Sequence, residues 1–242
     1  MITVDSKLVS DRVPVVLIHG LGGASSVDFQ ALDLAGRQRV LIDLPGSGTN
    51  VDVACDYSML GLAHHVRRDL RHRGVSRAVL FGHSMGGAVA MSLAQIWPEL
   101  VAGVILTESN LDPSGGTWSR RIAGFTEADF VATGWAELIA EQRDECPTWA
   151  KTVELSSPVA LHREAVSLIV GTRPTWRATL YRLTCPRFYV FGDRSLPDAD
   201  HEELPRHGVE VVTIPAAGHN MVYDNPSGFD QAVAQCLRQV AE

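Results

Sequence analysis

Six short apolar runs punctuate the chain: Val13–Ile18, Arg39–Leu44, Ala78–Phe81, Ala102–Thr107, Arg187–Phe191 and Val209–Ile214. Each is nearly continuous in Val, Ile, Leu or Phe, which predicts strands buried on both faces. Longer amphipathic stretches lie between them, at Ser58–Arg73, Met85–Trp97, Ala199–His207 and Pro226–Val240. These read as helices, the first closed by Gly74 and the second followed by Pro98. Strand and helix in alternation predict an α/β fold, with a mostly parallel central sheet flanked by helices.

The rhythm breaks between about Asn110 and Thr184. That segment offers no convincing strand, several helical patches and four of the five tryptophans: Trp118, Trp135, Trp149 and Trp176. The expected organisation is a core built from residues 1–110 and 184–242, with a helical insertion over 111–183. The tryptophans fit two roles equally, lining an apolar pocket or forming the insertion's own small core. Arg120, Arg121, Arg173 and Arg177 in the same segment read as exposed side chains.

Composition narrows the class. The chain has 242 residues, 45% apolar and 20% charged, which suits one globular core. A net charge of −7 without a basic block argues against a nucleic-acid partner. Met1–Ser10 lacks the basic start and apolar stretch of a secretory leader, and no apolar run is long enough to span a bilayer. Cys55, Cys146, Cys185 and Cys236 show no metal-ligand spacing and read as reduced thiols, with Cys185 and Cys236 as small buried apolar residues. The expectation is a cytoplasmic protein acting on a small molecule, with no membrane partner.

The most informative stretch is Ala78-Val79-Leu80-Phe81-Gly82-His83-Ser84-Met85-Gly86-Gly87-Ala88. It is a buried strand, then Gly-x-Ser-x-Gly, then a small-residue helix start. A sharp strand-to-helix turn strains the serine and exposes its hydroxyl above the sheet. The new helix aims its N-terminus at Ser84, so the Met85 N–H can stabilise an oxyanion. A second donor must come from another loop. Val15-Val16-Leu17-Ile18-His19-Gly20-Leu21-Gly22-Gly23 provides a strand and a glycine-rich turn in which Leu21 is placed to supply it.

Serine needs a base near neutral pH, and histidine supplies one. Of nine histidines, His219 in Pro215-Ala216-Ala217-Gly218-His219-Asn220 follows the last strand and precedes the last helix. That loop lies beyond a strand's carboxyl end, where open α/β sheets bind ligands. His19 and His83 flank the site and read as shaping it. His64, His65, His72, His201 and His207 lie on polar helices, and no His-Glu-x-x-His spacing suggests a metal.

These pieces, in this order, resemble the α/β-hydrolase superfamily. His19-Gly20-Leu21-Gly22-Gly23 is similar to its oxyanion loop, Gly82-His83-Ser84-Met85-Gly86 to its nucleophile elbow and Gly218-His219 to its histidine loop. Asp43-Leu44-Pro45-Gly46-Ser47-Gly48 resembles its Asp-x-x-Gly-x-Gly turn. The resemblance covers roughly 13–110 and 184–240, and the middle insertion matches only in position, as the variable cap. It implies a serine hydrolase without cofactor or metal, and it argues against members that use an aspartate nucleophile.

One element departs from the pattern. The family's usual acid follows the strand before the histidine strand, yet that turn here reads Gly192-Asp193-Arg194-Ser195, with serine where a carboxylate is expected. Glu108, ending the strand after the nucleophile helix, is the favoured replacement, since some members carry their acid there. Asp193 and Asp198 are the alternatives. The leading expectation is cleavage of a small, moderately apolar ester, lactone or related acyl substrate through an acyl-enzyme. Carbon–carbon or thioester hydrolysis and a ligand-binding protein with little turnover stand as alternatives.

Overall fold

The computed structural model describes residues 12–241. Met1–Ser10, read above for a leader, lies outside them. Six strands form one sheet: β1 (Val15–Ile18), β2 (Arg39–Ile42), β3 (Ala78–His83), β4 (Val101–Thr107), β5 (Arg187–Gly192) and β6 (Glu210–Ile214). Their order is β2-β1-β3-β4-β5-β6, and every pairing is parallel. All six apolar runs therefore become strands, and the four amphipathic stretches become the helices Met59–His72, Met85–Ile96, Ala199–Arg206 and Pro226–Gln239.

Side chains alternate between two cores. Val16 and Ile18 of β1 and Leu80 of β3 face the helices Met59–His72 and Met85–Ile96. Val15, Leu17, Val79 and Phe81 face Phe229, Val233 and Leu237 of the last helix, with Phe29 and Leu32 beside them. This period of two is the pleat expressed as burial. Burial on both faces holds for β1, β3 and β4, whose residues are enclosed almost throughout. It fails for β2 and β6, where Arg39, Val211, Val212 and Thr213 remain partly or fully open. These two strands are the edges of the sheet, and an edge lacks the neighbour that would enclose it.

The order also places a switch. From β1 the chain moves outward to β2, then returns to lay β3 on the other side of β1. The segment leaving β1 packs Phe29 and Leu32 on one face of the sheet, whereas the helix leaving β3 packs Ala88 and Val89 on the opposite face. A crevice opens between the carboxyl ends of two such strands. Gly20, Leu21 and Gly23 line it from one side, His83 and Ser84 from the other.

Residues 111–183 contain no strand; their main helices are Thr117–Ala123, Trp135–Glu145, Pro147–Glu154, Pro158–Val170 and Trp176–Arg182. They dock on the loops that leave the sheet. Trp149 Nε1 donates to the Leu21 carbonyl at 2.9 Å, and Gly48 N–H donates to the Leu155 carbonyl at 3.0 Å. Gly22 must be glycine for this contact: its φ is +68°, and a Cβ there would lie 2.8 Å from Val153 Cγ2. Trp118 and Trp149 take the first of the two expected roles, whereas Trp176 joins the main core and not a core of the insertion's own. Trp176 is buried against the helix Met85–Ile96, its Nε1 3.1 Å from Ser92 Oγ, while Trp118 and Trp149 face the crevice.

Two sequence expectations need correction here. Cys185 is only partly buried, unlike Cys236, because the turn ahead of β5 holds it at the margin of the core. Arg177 is not an exposed arginine: its side chain is 24% accessible and bridges Asp112 and Asp200, with Nη1 2.6 Å from Asp200 Oδ1 and Nε 2.6 Å from Asp112 Oδ2. Asp112 opens the helical segment and Asp200 lies in the helix Ala199–Arg206, so one guanidinium ties the start of that segment to the core. Arg177→Met leaves two carboxylates without their shared cation and is expected to lower stability by about 1–3 kcal/mol. A lower urea midpoint at unchanged m-value would show it.

Candidate active site

The turn after β3 carries its strain at one residue. Ser84 has φ 52° and ψ −120°, a region that side-chain-bearing residues rarely enter. Its N–H remains anchored to the Thr107 carbonyl at 2.9 Å. The turn closes because its flanks lack side chains. A Cβ on Gly82 would fall 2.6 Å from the Gly86 carbonyl oxygen and the Gly87 nitrogen, and one on Gly86 would overlap the Ile18 carbonyl. Gly20 of the facing loop lies so near that its Cβ would sit 3.1 Å from Ser84 Cβ.

That facing loop is held by a histidine. His19 is wholly buried, with Nδ1 2.8 Å from the Gly20 carbonyl and Nε2 2.9 Å from the Leu44 N–H. Nε2 accepts from Leu44, so Nδ1 carries the proton and the ring is neutral. Burial lowers its pKa, consistent with that state. Leu44 belongs to the Asp-x-x-Gly-x-Gly turn, whose Asp43 accepts the N–H and hydroxyl of both Ser26 and Thr49. Burial disfavours the Asp43 anion, but these four donors outweigh it and hold its carboxyl below the usual range. The motif is structural: it fixes the loop that carries Leu21.

Leu21 and Met85 are the two residues expected to supply oxyanion donors. Among the described residues, no protein acceptor takes either backbone N–H. Leu21 lines the crevice; the Met85 side chain turns into the core, leaving its main chain at the helix start. An N–H in the first turn of a helix has no intrahelical partner.

His219 reaches the same crevice from the loop after β6, with 51% of its side chain accessible. Its ring centroid lies 5.0 Å from that of His83. Surrounding protein lowers the His219 pKa, against an opposing pull from Asp224. His83 is pushed down to about 3, first by burial and then by His219, so it stays neutral. Its Nδ1 lies 3.0 Å from Thr107 Oγ1, which makes it a wall of the site.

The three candidate carboxylates separate clearly. Glu108, at the end of β4, holds Oε2 4.0 Å from His219 Nδ1. Its other oxygen accepts the Gly192 N–H at 2.9 Å. Only 12% of its side chain is accessible, and burial raises its pKa against the Gly192 and Ser195 donors. Asp193 faces away: it accepts the Ala217 N–H at 3.2 Å and so braces the loop that carries His219. Asp198 caps the helix Ala199–Arg206 through the Asp200 N–H at 2.8 Å, at the rim of the crevice.

The crevice is a cavity of about 560 Å³ lined by Ser84, His219, Glu108 and Leu21, with Trp118 and Trp149 across from them. Among the described residues, none of its lining side chains is lysine or arginine, and no grouping of His, Cys, Asp and Glu could hold a metal ion. Two lining residues escaped the sequence reading, Asp28 and Tyr223. Tyr223 OH donates to Asp28 Oδ1 at 2.5 Å. Their sequence signal was position alone: Asp28 follows the glycine-rich loop, and Tyr223 lies one helical turn beyond His219.

Residues 15–232 match the model of the alpha/beta hydrolase family. Over 93% of its length the chain is 30% identical to the 2-succinyl-6-hydroxy-2,4-cyclohexadiene-1-carboxylate synthase of Citrobacter koseri, covering 93% of that protein. It is 29% identical to a Cronobacter turicensis protein named as the carbamate hydrolase RutD, with 89% of this chain and 87% of that one covered. A thermophilic esterase from Thermogutta terrifontis superposes with a TM-score of 0.77 at 24% identity, covering 96% of this chain and 91% of its own. The fold, the family match and these relatives agree: the chain belongs to the alpha/beta hydrolase family.

Proposed function

We propose that the protein is a serine hydrolase that cleaves a small ester, lactone or carbamate bearing no carboxylate, through an acyl-Ser84 intermediate. The observation that carries this reading is the convergence of Ser84, His219 and Glu108 on one cavity, opposite two unpaired backbone donors. In the first step Ser84 Oγ attacks the acyl carbon and its proton passes to His219 Nε2. The Leu21 and Met85 N–H groups take the charge that grows on the carbonyl oxygen. Collapse expels the leaving group, which receives the proton from Nε2. Water then gives its proton to Nε2, attacks the acyl carbon and releases Ser84.

Glu108 serves as the acid, keeping the Nδ1–H of His219 turned away from Ser84 and stabilising the imidazolium. At 4.0 Å the contact exceeds a hydrogen bond, and such contacts tighten when substrate is bound. The helical segment 111–183 acts as the cap, with Trp118 and Trp149 giving the cavity an apolar wall. The synthase relative is named for a product carrying carboxylates. Among the described residues the cavity has no lysine or arginine to offer such groups a counter-charge, which disfavours acyl groups that carry a carboxylate.

A fluorophosphonate probe is expected to label the wild type and not Ser84→Ala; equal labelling of both would refute the nucleophile. Glu108→Gln should lower kcat by about a hundredfold to ten-thousandfold with the fold intact by circular dichroism. If Asp193→Asn or Asp198→Asn has that effect and Glu108→Gln does not, the acid is misassigned. The base must be neutral to act, and its pKa is lowered from 6.5. The acid limb of kcat/KM should therefore have its midpoint below pH 6.5. A midpoint above that value would show that the Glu108 and Asp224 carboxylates outweigh burial at His219.

A further inference from the structure

One wall of the cavity carries a pair that the hydrolytic steps leave unused. Asp28 ends the short helix Ser25–Asp28 behind the oxyanion loop, and Tyr223 lies in the short helix Met221–Asp224 behind the His219 loop. The two elements are 195 residues apart in sequence, yet Tyr223 OH meets Asp28 Oδ1 at 2.5 Å. Asp28 Oδ2 accepts the Ala24 N–H at 3.1 Å. Gly23 makes room for the carboxyl, since a Cβ there would lie 2.7 Å from Asp28 Oδ2. Both side chains open onto the space that Ser84 and His219 share.

A partly buried carboxylate is normally matched by a cation, because hydrogen bonds from neutral donors replace only part of its lost hydration. Asp28 has no such match. Among the described residues it forms no ion pair with lysine or arginine, and neither residue type lines the cavity. The basic group whose charge would act on Asp28 is His19, and its hydrogen bonds fix it in the neutral form. Burial accordingly raises the Asp28 pKa despite the Tyr223 hydrogen bond. Each Asp28 oxygen can accept a further hydrogen bond from the cavity side.

We propose that Asp28, oriented by Tyr223, binds a protonated amine on the substrate, so that the enzyme prefers amine-bearing acyl compounds. The inference rests on Ser84 and His219 as the reacting pair and names the class of molecule they act on. An ammonium brings three N–H donors and a full positive charge, completing the coordination of Asp28 in a water-poor site. A substrate carboxylate in the same place would meet like charge without a compensating cation. Tyr223 keeps the carboxyl facing the cavity and contributes no charge, so it is a positioning residue.

The test uses p-nitrophenyl esters of matched acyl chains. An ω-amino acid series from β-alanine to ε-aminocaproate is compared with isosteric fatty acids and with dicarboxylic monoesters. The wild type should favour the ammonium ester over its uncharged isostere by tenfold or more in kcat/KM at one chain length, with the carboxylate ester poorest. Asp28→Asn should reduce the ammonium preference at least tenfold, mainly through KM. Tyr223→Phe should reduce it less. Because the readout is a ratio within each variant, partial misfolding cancels. An ammonium-to-neutral ratio that is near one in the wild type, or unaltered in Asp28→Asn, overturns the proposal. If no ester turns over, the hydrolase reading fails by itself, and the amine site is judged separately by titrating n-hexylammonium and hexanoate into Ser84→Ala. Selective binding of the ammonium, lost on adding Asp28→Asn, supports the site; equal binding of both ions, or none, refutes it.

Discussion

The site depends on one close approach, that of the helix after β3 to the carboxyl end of β1. Gly86 packs against the Ile18 and His19 carbonyls so tightly that no side chain fits between them. This contact holds Ser84 at φ 52° and brings the Gly20–Leu21 turn against it. Strain of this kind costs on the order of 1–3 kcal/mol and persists only where surrounding structure overdetermines it. Here β1 and β3 supply the determination, with every residue of β1 buried and the two strands in parallel register from Val15↔Val79 to Ile18↔Gly82. The switch in strand order makes the same two strand ends the natural place for a crevice.

The carboxylate that faces His219 comes from the end of β4 and not from the turn after β5, and this changes what braces the histidine. Glu108 takes φ 45°, its N–H still bonded to Val190 of β5, and its side chain returns across the sheet top to the Gly192 N–H. One oxygen is thus fixed by the β5 turn and the other faces His219. The carboxylate that remains in the β5 turn, Asp193, has moved to a supporting role. It holds the Ala217 N–H while the Arg194 N–H holds the Ala217 carbonyl, so the turn positions the loop that carries His219. A longer side chain from a neighbouring strand can therefore reach the same imidazole, provided the vacated turn still secures its loop.

What could be read from the sequence follows from how local each signal is. The strands were legible because a buried parallel strand is an apolar run, and Gly82-x-Ser84-x-Gly86 because its glycines answer steric demands within five residues. His219 was legible from its place after the last strand. The edge character of β2 and β6 was hidden, since Val211 and Val212 look like core until strand order exposes them. Arg177 was misread for a similar reason. Its partners Asp112 and Asp200 lie 65 and 23 residues away, and nothing nearby marks it as buried. Asp28 and Tyr223 were invisible altogether, because a pair 195 residues apart exists only after the oxyanion and histidine loops meet.

The cavity's electrostatics follow from that meeting. The ionisable groups around Ser84 are neutral imidazoles and carboxyls. His83 is kept uncharged with its pKa near 3, and His219 is shifted the same way. Glu108 faces the His219 imidazole, its Oε2 4.0 Å from Nδ1. Asp28 accepts hydrogen bonds from Tyr223 and Ala24 but, among the described residues, has no cationic partner. A negative site without resident cations stabilises a cationic transition-state group or a cationic substrate, and it repels anions. The helical segment adds Trp118 and Trp149 to the crevice wall, and an apolar wall raises the weight of each charge beside it. The proposed selectivity rests on the sign of the charge that this cavity leaves unbalanced, and the apolar wall sets how strongly that sign is felt.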